Sequence, residues 1–178
     1  MILMMILLAL MGNTKEQSKI DFGTEKTNTW AVINDGVMGG RSLGKVNFEN
    51  NSMHFKGSIS LENNGGFSSL KSPFSTFNLS AQKRVEIRYR SSEIPMAITM
   101  EVSRAWYETY YRHALPSTEG EWKTLKFSLN DFQGQSVGRK TGTKLAKNEL
   151  EQIIRLGFIN EGKGPGDFDF EVDYLSFE

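Results

Sequence analysis

From Ile20 onward, apolar and polar residues alternate with a period of two rather than 3.6, the signature of strands with one buried face. The plainest run is Ser52 to Leu61. Met53, Phe55, Ile59 and Leu61 point one way, and Ser52, His54, Lys56, Ser58 and Ser60 the other. Gly57 in its middle predicts a bulge or a close approach of another chain segment. Val85, Ile87 and Tyr89 alternate with Arg84, Glu86, Arg88 and Arg90. Further in-phase sets are Met96, Ile98, Met100 and Val102, then Tyr107, Thr109, Tyr111 and His113, then Leu125, Phe127 and Leu129. In the last run Phe168, Phe170, Val172 and Tyr174 oppose Asp167, Asp169, Glu171 and Asp173. Leu175 and Phe177 fall out of phase, which predicts a bulge or twist near Tyr174.

Shorter strands are expected at Ile20 to Phe22, Trp30 to Ile33 and Phe67 to Leu70. Gly23 to Thr29, Ser72-Pro73, Asn78 to Gln82 and Leu115 to Gly120 are turn material. Asn130 to Lys144 reads as irregular. Lys147 to Ile154 is the one segment with helical character, with Asn148 as its N-cap. Short strands at regular spacing with at most one short helix predict an all-β, antiparallel sandwich. No repeat or linker divides residues 20–178, which are expected to form a single domain.

The composition narrows the function classes. The 178 residues are 38% hydrophobic and 24% charged, which suits one globular domain. Formal net charge is zero, so no overall field favours nucleic acid. With no cysteine, disulfides, thiolate metal sites and cysteine nucleophiles are excluded. Met1 to Met11 is almost wholly apolar, followed by the polar Asn13 to Lys19. That stretch falls short of the ~20 residues needed to span a bilayer and matches the central region of a secretory signal. Residues 1–19 are therefore expected to be an apolar leader and polar lead. Export to the cell envelope follows if the leader acts as a signal, and a cytoplasmic location if it does not.

Two polar, glycine-rich loops stand out: Asn34-Asp35-Gly36-Val37-Met38-Gly39-Gly40-Arg41-Ser42, and Glu62-Asn63-Asn64-Gly65-Gly66-Phe67-Ser68-Ser69. Clustered glycines mark turns or close backbone approach, and the two loops are expected to be neighbours. Asp35 is expected to accept hydrogen bonds from nearby backbone donors or to pair with Arg41. Gly40-Arg41-Ser42-Leu43-Gly44 matches G-x-S-x-G, but a nucleophile elbow needs a strand-to-helix turn over a parallel sheet, and here a strand follows. Gly138-Arg139-Lys140-Thr141 fails the phosphate-loop spacing, and Gly162, Gly164 and Gly166 precede a lone strand rather than a βαβ unit. His54 reads as solvated and His113 as structural. The acidic array on the last strand reads as a wet sheet face rather than a calcium site. No catalytic constellation, metal site or cofactor is expected.

The densest aromatic cluster is Trp106, Tyr107, Tyr110 and Tyr111, beside Arg104 and Arg112. Alternation sends Trp106 and Tyr110 to one face and Tyr107 and Tyr111 to the other. Trp106, Tyr110 and Arg112 are candidates for an exposed surface that stacks on a sugar or anchors a protein.

The two loops, with Trp30 before the first and Phe55-Lys56-Gly57 between them, resemble the signature of the complex I intermediate-associated protein family. The likeness continues through Gly120-Glu121-Trp122, Asp131-Phe132, Ile154-Arg155-Leu156-Gly157-Phe158 and Gly164-Pro165-Gly166-Asp167-Phe168. The resemblance implies a galactose-binding-like jelly roll and a non-enzymatic, chaperone-like role. Its partner would be a protein, such as a respiratory-complex subunit or assembly intermediate of NADH:ubiquinone oxidoreductase. Binding residues would then lie in the two loops: Asn34, Asp35, Met38, Arg41, Ser42, Glu62, Asn63, Asn64 and Phe67. The alternative is a sandwich that binds carbohydrate or another ligand.

Overall fold

The computed structural model describes residues 19–23, 29–162 and 164–178. The apolar leader, most of the Gly23 to Thr29 lead and Lys163 lie outside the described residues. The strands are β1 (Lys19–Asp21), β2 (Ala31–Asn34), β3 (Leu43–Glu49), β4 (Ser52–Ile59), β5 (Ser68–Lys71) and β6 (Arg84–Ser91). They continue with β7 (Met96–Glu101), β8 (Tyr110–Leu115), β9 (Lys123–Ser128), β10 (Gln133–Ser136), β11 (Arg139–Lys144), β12 (Arg155–Asn160) and β13 (Gly166–Phe177).

Two antiparallel sheets result. One runs β3-β4-β13-β6-β9, with β1 also on β13; the other runs β11-β10-β8-β7-β12-β5-β2. Apart from the hairpins β3-β4, β7-β8 and β10-β11, neighbours in each sheet come from distant parts of the chain, the crossover connectivity of a jelly-roll sandwich. β13 is long enough to hold β6 along one edge and β4, then β1, along the other. Its register on β6 slips between Val172 and Tyr174. Asp173 is the extra residue, so the phase change in the sequence is a bulge.

The inward faces of both sheets fuse into one apolar core. Phe158 of β12 and Phe170 of β13 meet across the sandwich at 5.1 Å between ring centroids. Trp30 stacks on Phe158 at 5.8 Å, and Tyr89 lies 5.8 Å from Phe170. Gly57 is the close approach its position predicts. A Cβ there would lie 1.8 Å from the Leu43 carbonyl oxygen, so only glycine lets β3 and β4 pair at this point.

Three expectations need correction. Lys147 to Ile154 is a run of turns rather than a helix. Its carbonyls are drawn to other segments: Phe77 N donates to Ile153 O at 2.8 Å, and Leu79 N to Leu150 O at 2.8 Å. Asn130 to Lys144 is not irregular but contains the β10–β11 hairpin, whose outer strand β11 is an exposed edge while β10 is partly buried. Leu61, read as inward, is exposed, because β4 ends at Ile59. No helix among the described residues is long and apolar enough to cross a membrane.

Candidate functional site

The two glycine-rich loops are locked together by one carboxylate. Asp35, only 1% exposed, accepts at Oδ1 from Ser42 N (2.9 Å) and at Oδ2 from Ser42 Oγ (2.6 Å), Gly66 N (2.6 Å) and Phe67 N (3.2 Å). Burial alone would raise its carboxyl, but these hydrogen bonds outweigh that and hold it below the ordinary value. Gly40 and Gly65 are the clearance around it. A Cβ at Gly40 would lie 2.3 Å from Asp35 Cγ, and one at Gly65 2.6 Å from Oδ2. Arg41 pairs instead with Glu62 at 2.8 Å, on the surface. Asn63 Nδ2 donates to Gly39 O at 3.0 Å, and Asn34 Oδ1 accepts from Ser68 Oγ at 2.6 Å. Ser42 Oγ also accepts from Ser60 N at 3.0 Å, so the hydroxyl of the elbow-like pentapeptide is wholly engaged in a bracket. Asn64 and Met38 are exposed and Phe67 is half-buried.

A different surface gathers more chemistry. On the outer face of the seven-stranded sheet, register aligns Ala31, Lys71, Gly157, Thr99, Arg112 and Gln133 in one row. The next row is Arg155, Glu101, Tyr110 and Gln135. Directly paired residues of a sheet share a face, and Ile98 and Met100, in alternate phase, are in the core. The centre of this outer face is nevertheless sunk: Thr99 and Gln135 are buried, and the Lys71 side chain is only 11% exposed.

Gly157 makes this possible. A Cβ there would lie 2.7 Å from Leu70 O, 2.7 Å from Lys71 Cδ and 2.8 Å from Thr99 Oγ1. The lysine therefore crosses β12 and reaches Glu101 Oε1 at 2.6 Å and Thr99 Oγ1 at 3.2 Å. Its ammonium also lies 5.7 Å from the Tyr110 ring centroid. Burial lowers the Lys71 pKa, Glu101 pulls it back up, and Arg155 and Arg112 lower it further. Arg112 pairs with Glu161, and its buried Nε has no hydrogen-bond partner among the described residues. Arg155 Nε donates to Ser72 O at 2.9 Å.

The rim of this face is aromatic. Phe74 has the guanidinium carbons of Arg104 and Arg155 at 4.3 and 4.5 Å from its ring centroid. Trp106 is 75% exposed and meets Tyr107 edge-on at 5.9 Å. Simple alternation fails here. β8 starts only at Tyr110, and Trp106 and Tyr107 sit together in a turn closed by Glu108 N donating to Ala105 O at 3.0 Å. Both are therefore exposed, and Tyr111 alone of the four is buried. Of the candidates for an exposed aromatic and basic surface, Tyr110 and Arg112 lie on this face and Trp106 in the loop that leads into β8. Thr99 and Glu101 fall out of phase with Met96, Ile98 and Met100 and could be placed by alternation; Lys71 lies just past the run read as Phe67 to Leu70, and Gln133 and Gln135 were hidden in the segment read as irregular.

The outer face of the other sheet is differently used. His54 is not solvated: its Nε2 lies 2.9 Å from Glu171 Oε1, which also accepts from Ser52 Oγ at 2.6 Å. Arg90 Nε donates to Glu171 Oε2 at 2.5 Å. β4 and β6 flank β13 and set His54 and Arg90 opposite Glu171, so the carboxylate in the middle of the acidic array is buried and paired on both sides. A depression of about 380 Å³ near the end of this sheet is lined by Lys56, Gly57, Ser92, Asp167, Phe168 and Asp169. It offers no exposed aromatic ring, so the polar rows of the other sheet are the stronger candidate. Among the described residues, no group of three or more His, Asp or Glu is placed to hold a metal ion.

A two-sheet antiparallel sandwich is also the fold of several solved modules. The chain is similar in fold to the family 11 carbohydrate-binding module of the cellulosomal cellulase Lic26A-Cel5E of Clostridium thermocellum. The TM-score is 0.64 at 15% identity, covering 88% of this chain and 91% of that one. The Clostridium thermocellum family 11 module in complex with a β-1,3-1,4-mixed-linked tetrasaccharide gives 0.62 at 15% identity, with 89% and 94% covered. An agarase gives 0.59 at 14% identity, with 91% of this chain covering 25% of the enzyme. No curated protein matches the sequence. The sequence profile of complex I intermediate-associated protein 30 matches residues 20–172. The chain belongs to that family.

Proposed function

We propose that this chain is a non-catalytic binding module that takes a carbohydrate on the outer face of its seven-stranded sheet. The observation that carries this reading is the row of fixed donors and acceptors around Tyr110. Sugars offer hydroxyls that are both donor and acceptor, on a ring whose C–H face is apolar. A matching site combines planar polar side chains with an aromatic ring. Tyr110 is half-buried, with Glu101 and Gln135 opposite it on the two neighbouring strands. Lys71 is held over its ring and Arg112 is next on the same face. Likeness in fold to modules described as carbohydrate-binding supports the reading. Its test is affinity electrophoresis through gels containing single polysaccharides, comparing the native protein with Tyr110→Ala. Retardation by at least one polymer that Tyr110→Ala abolishes is expected; free migration in every gel overturns the reading.

A second reading has its own observation. The motif loops hold apolar side chains out in solvent on a rigid frame, with Val37 78% and Met38 74% exposed and Leu43 and Leu61 close in sequence to the same bracket. Exposed apolar groups around a fixed frame suit docking of a protein. The family's name points to a respiratory-complex subunit or assembly intermediate as that partner. Affinity purification of the tagged chain from its native cell tests it. Specific co-purification lost in Met38→Glu is expected, and the same proteins recovered with Met38→Glu would overturn it.

A further inference from the structure

The outer face of the seven-stranded sheet is cationic in a chain whose formal net charge is zero. The register that aligns the polar rows continues onto β11, where Lys144 faces Gln133 and Lys140 faces Gln135. With Lys71, Arg112 and Arg155, and with Arg104 meeting Arg155 over Phe74, one surface carries all these cations. The carboxylates that meet them are already engaged. Glu101 takes Lys71 at 2.6 Å, with Arg155 at 3.9 Å, and Glu161 takes Arg112. No ion pair is formed by Arg104, Lys140 or Lys144 among the described residues.

The opposite sheet supplies the comparison within the same molecule. On its outer face Arg88 pairs with Asp173 at 2.5 Å, Lys126 with Glu86 at 2.6 Å, and Arg90 and His54 with Glu171. Of the further cations on that face, Lys45 and Lys56 lie in register with the carboxylate Asp169, and Arg84 forms no ion pair among the described residues. On the candidate face cations are left over, ranged beside Tyr110 and the glutamines. A neutral sugar gives hydroxyls to such a surface and leaves the cations without counter-charge. A carboxylate or sulfate group accepts charge-assisted hydrogen bonds, bidentate ones from a guanidinium.

We infer that the glycan taken by this face is anionic, carrying carboxylate or sulfate groups. The inference rests on the carbohydrate reading above and adds the charge of the ligand. The test titrates the full chain with two matched pairs. One pair is polygalacturonate and its methyl-esterified form, the other a sulfated galactan and the same polymer desulfated. Tighter binding of an acidic member by on the order of tenfold, weakening as salt rises, is expected. Whether the carboxylated or the sulfated pair discriminates names the group recognised. The double variant Lys140→Gln, Lys144→Gln, on an exposed edge strand, should reduce affinity for the acidic polymer and its salt dependence while keeping the native denaturation midpoint.

Equal binding of both members of each pair, or undiminished binding by the double variant, would overturn the inference and leave sugar binding intact. So would binding confined to neutral polymers outside the two pairs. Binding of no polysaccharide at all would remove the carbohydrate reading itself. A DNA oligonucleotide bound as tightly as the acidic polymers would show that charge, not a glycan, is recognised.

Discussion

The Lys71 ammonium lies 2.6 Å from Glu101 Oε1, although β12 runs between their strands. Lys71 and Glu101 belong to β5 and β7, and each pairs with β12 on an opposite edge. Their contact exists because residue 157, directly between Lys71 and Thr99 in register, is glycine. The lysine stem covers what would otherwise be bare backbone, and its head is fixed beside Tyr110. One glycine thus sets both the depth of the polar face and the position of its central charge.

Gly157→Ala should therefore be destabilising. The added Cβ meets a backbone carbonyl at 2.7 Å as well as the Lys71 stem, and the backbone cannot swing aside as a side chain can. A loss of about 1–3 kcal/mol is expected, as for other overpacked sites, read from the denaturant midpoint. A variant as stable as the native chain would mean that β12 and β5 can separate at no cost.

Asp35→Asn should lower stability by ~1–3 kcal/mol at neutral pH, because an amide offers one acceptor where the carboxylate uses two. The pH dependence has a definite sign. The folded-state pKa of Asp35 is below its ordinary value, so its ionised form stabilises the native state above the ordinary carboxylate pKa. That contribution is lost as pH falls through the folded value. The gap between native and Asp35→Asn midpoints should accordingly narrow in acid. A constant gap would show that the carboxylate's charge contributes nothing to the bracket.

His113 should also cost stability in acid, but because the fold favours its neutral form rather than its charged one. Its ring stacks on Phe127 at 3.9 Å and lies 5.8 Å from Phe132. Burial lowers its pKa, with Asp131 opposing that shift. Between the lowered folded value and the ordinary imidazole value of about 6.5, the unfolded chain binds a proton that the folded chain refuses. Stability is then lost as pH falls through that window. Chemical denaturation from pH 7.5 downward should show this slope, and His113→Gln should flatten it; an unchanged slope assigns the titration to another group.

The sandwich itself was legible in the sequence because period-two alternation is strongest where one face is buried and the other wet. β4, β6, β7 and β13 all announce themselves, and even the bulge at Asp173 shows as a phase change. The neighbouring loops were legible from their glycines, although Asp35, Ser42, Ser68 and Ser69 within them are buried rather than surface residues. A carboxylate can be buried when four hydrogen bonds converge on it, and composition does not display that convergence. The candidate face was only half legible. Tyr110 and Arg112 stood out as an aromatic and basic pair, but their partners Lys71, Thr99, Gln133 and Gln135 lie far away in sequence. Strand order, which joins β5 to β12 and β8 to β10, is a property of the long-range pairing. Local alternation also misplaced Trp106, because nothing in the pattern marks where the turn at Ala105 to Glu108 hands over to β8.

The central claim, that ligand is taken on the outer face of the seven-stranded sheet, is tested most directly by its footprint. Backbone amide resonances of the labelled protein would be followed during titration with the tightest-binding polysaccharide. Shifts concentrated at Lys71, Thr99, Tyr110, Arg112 and Gln133, on strands β5, β7, β8 and β10, are the predicted result. Shifts confined to Asn34 to Ser42 and Leu61 to Phe67, with that sheet undisturbed, would contradict it and place binding at the motif loops instead.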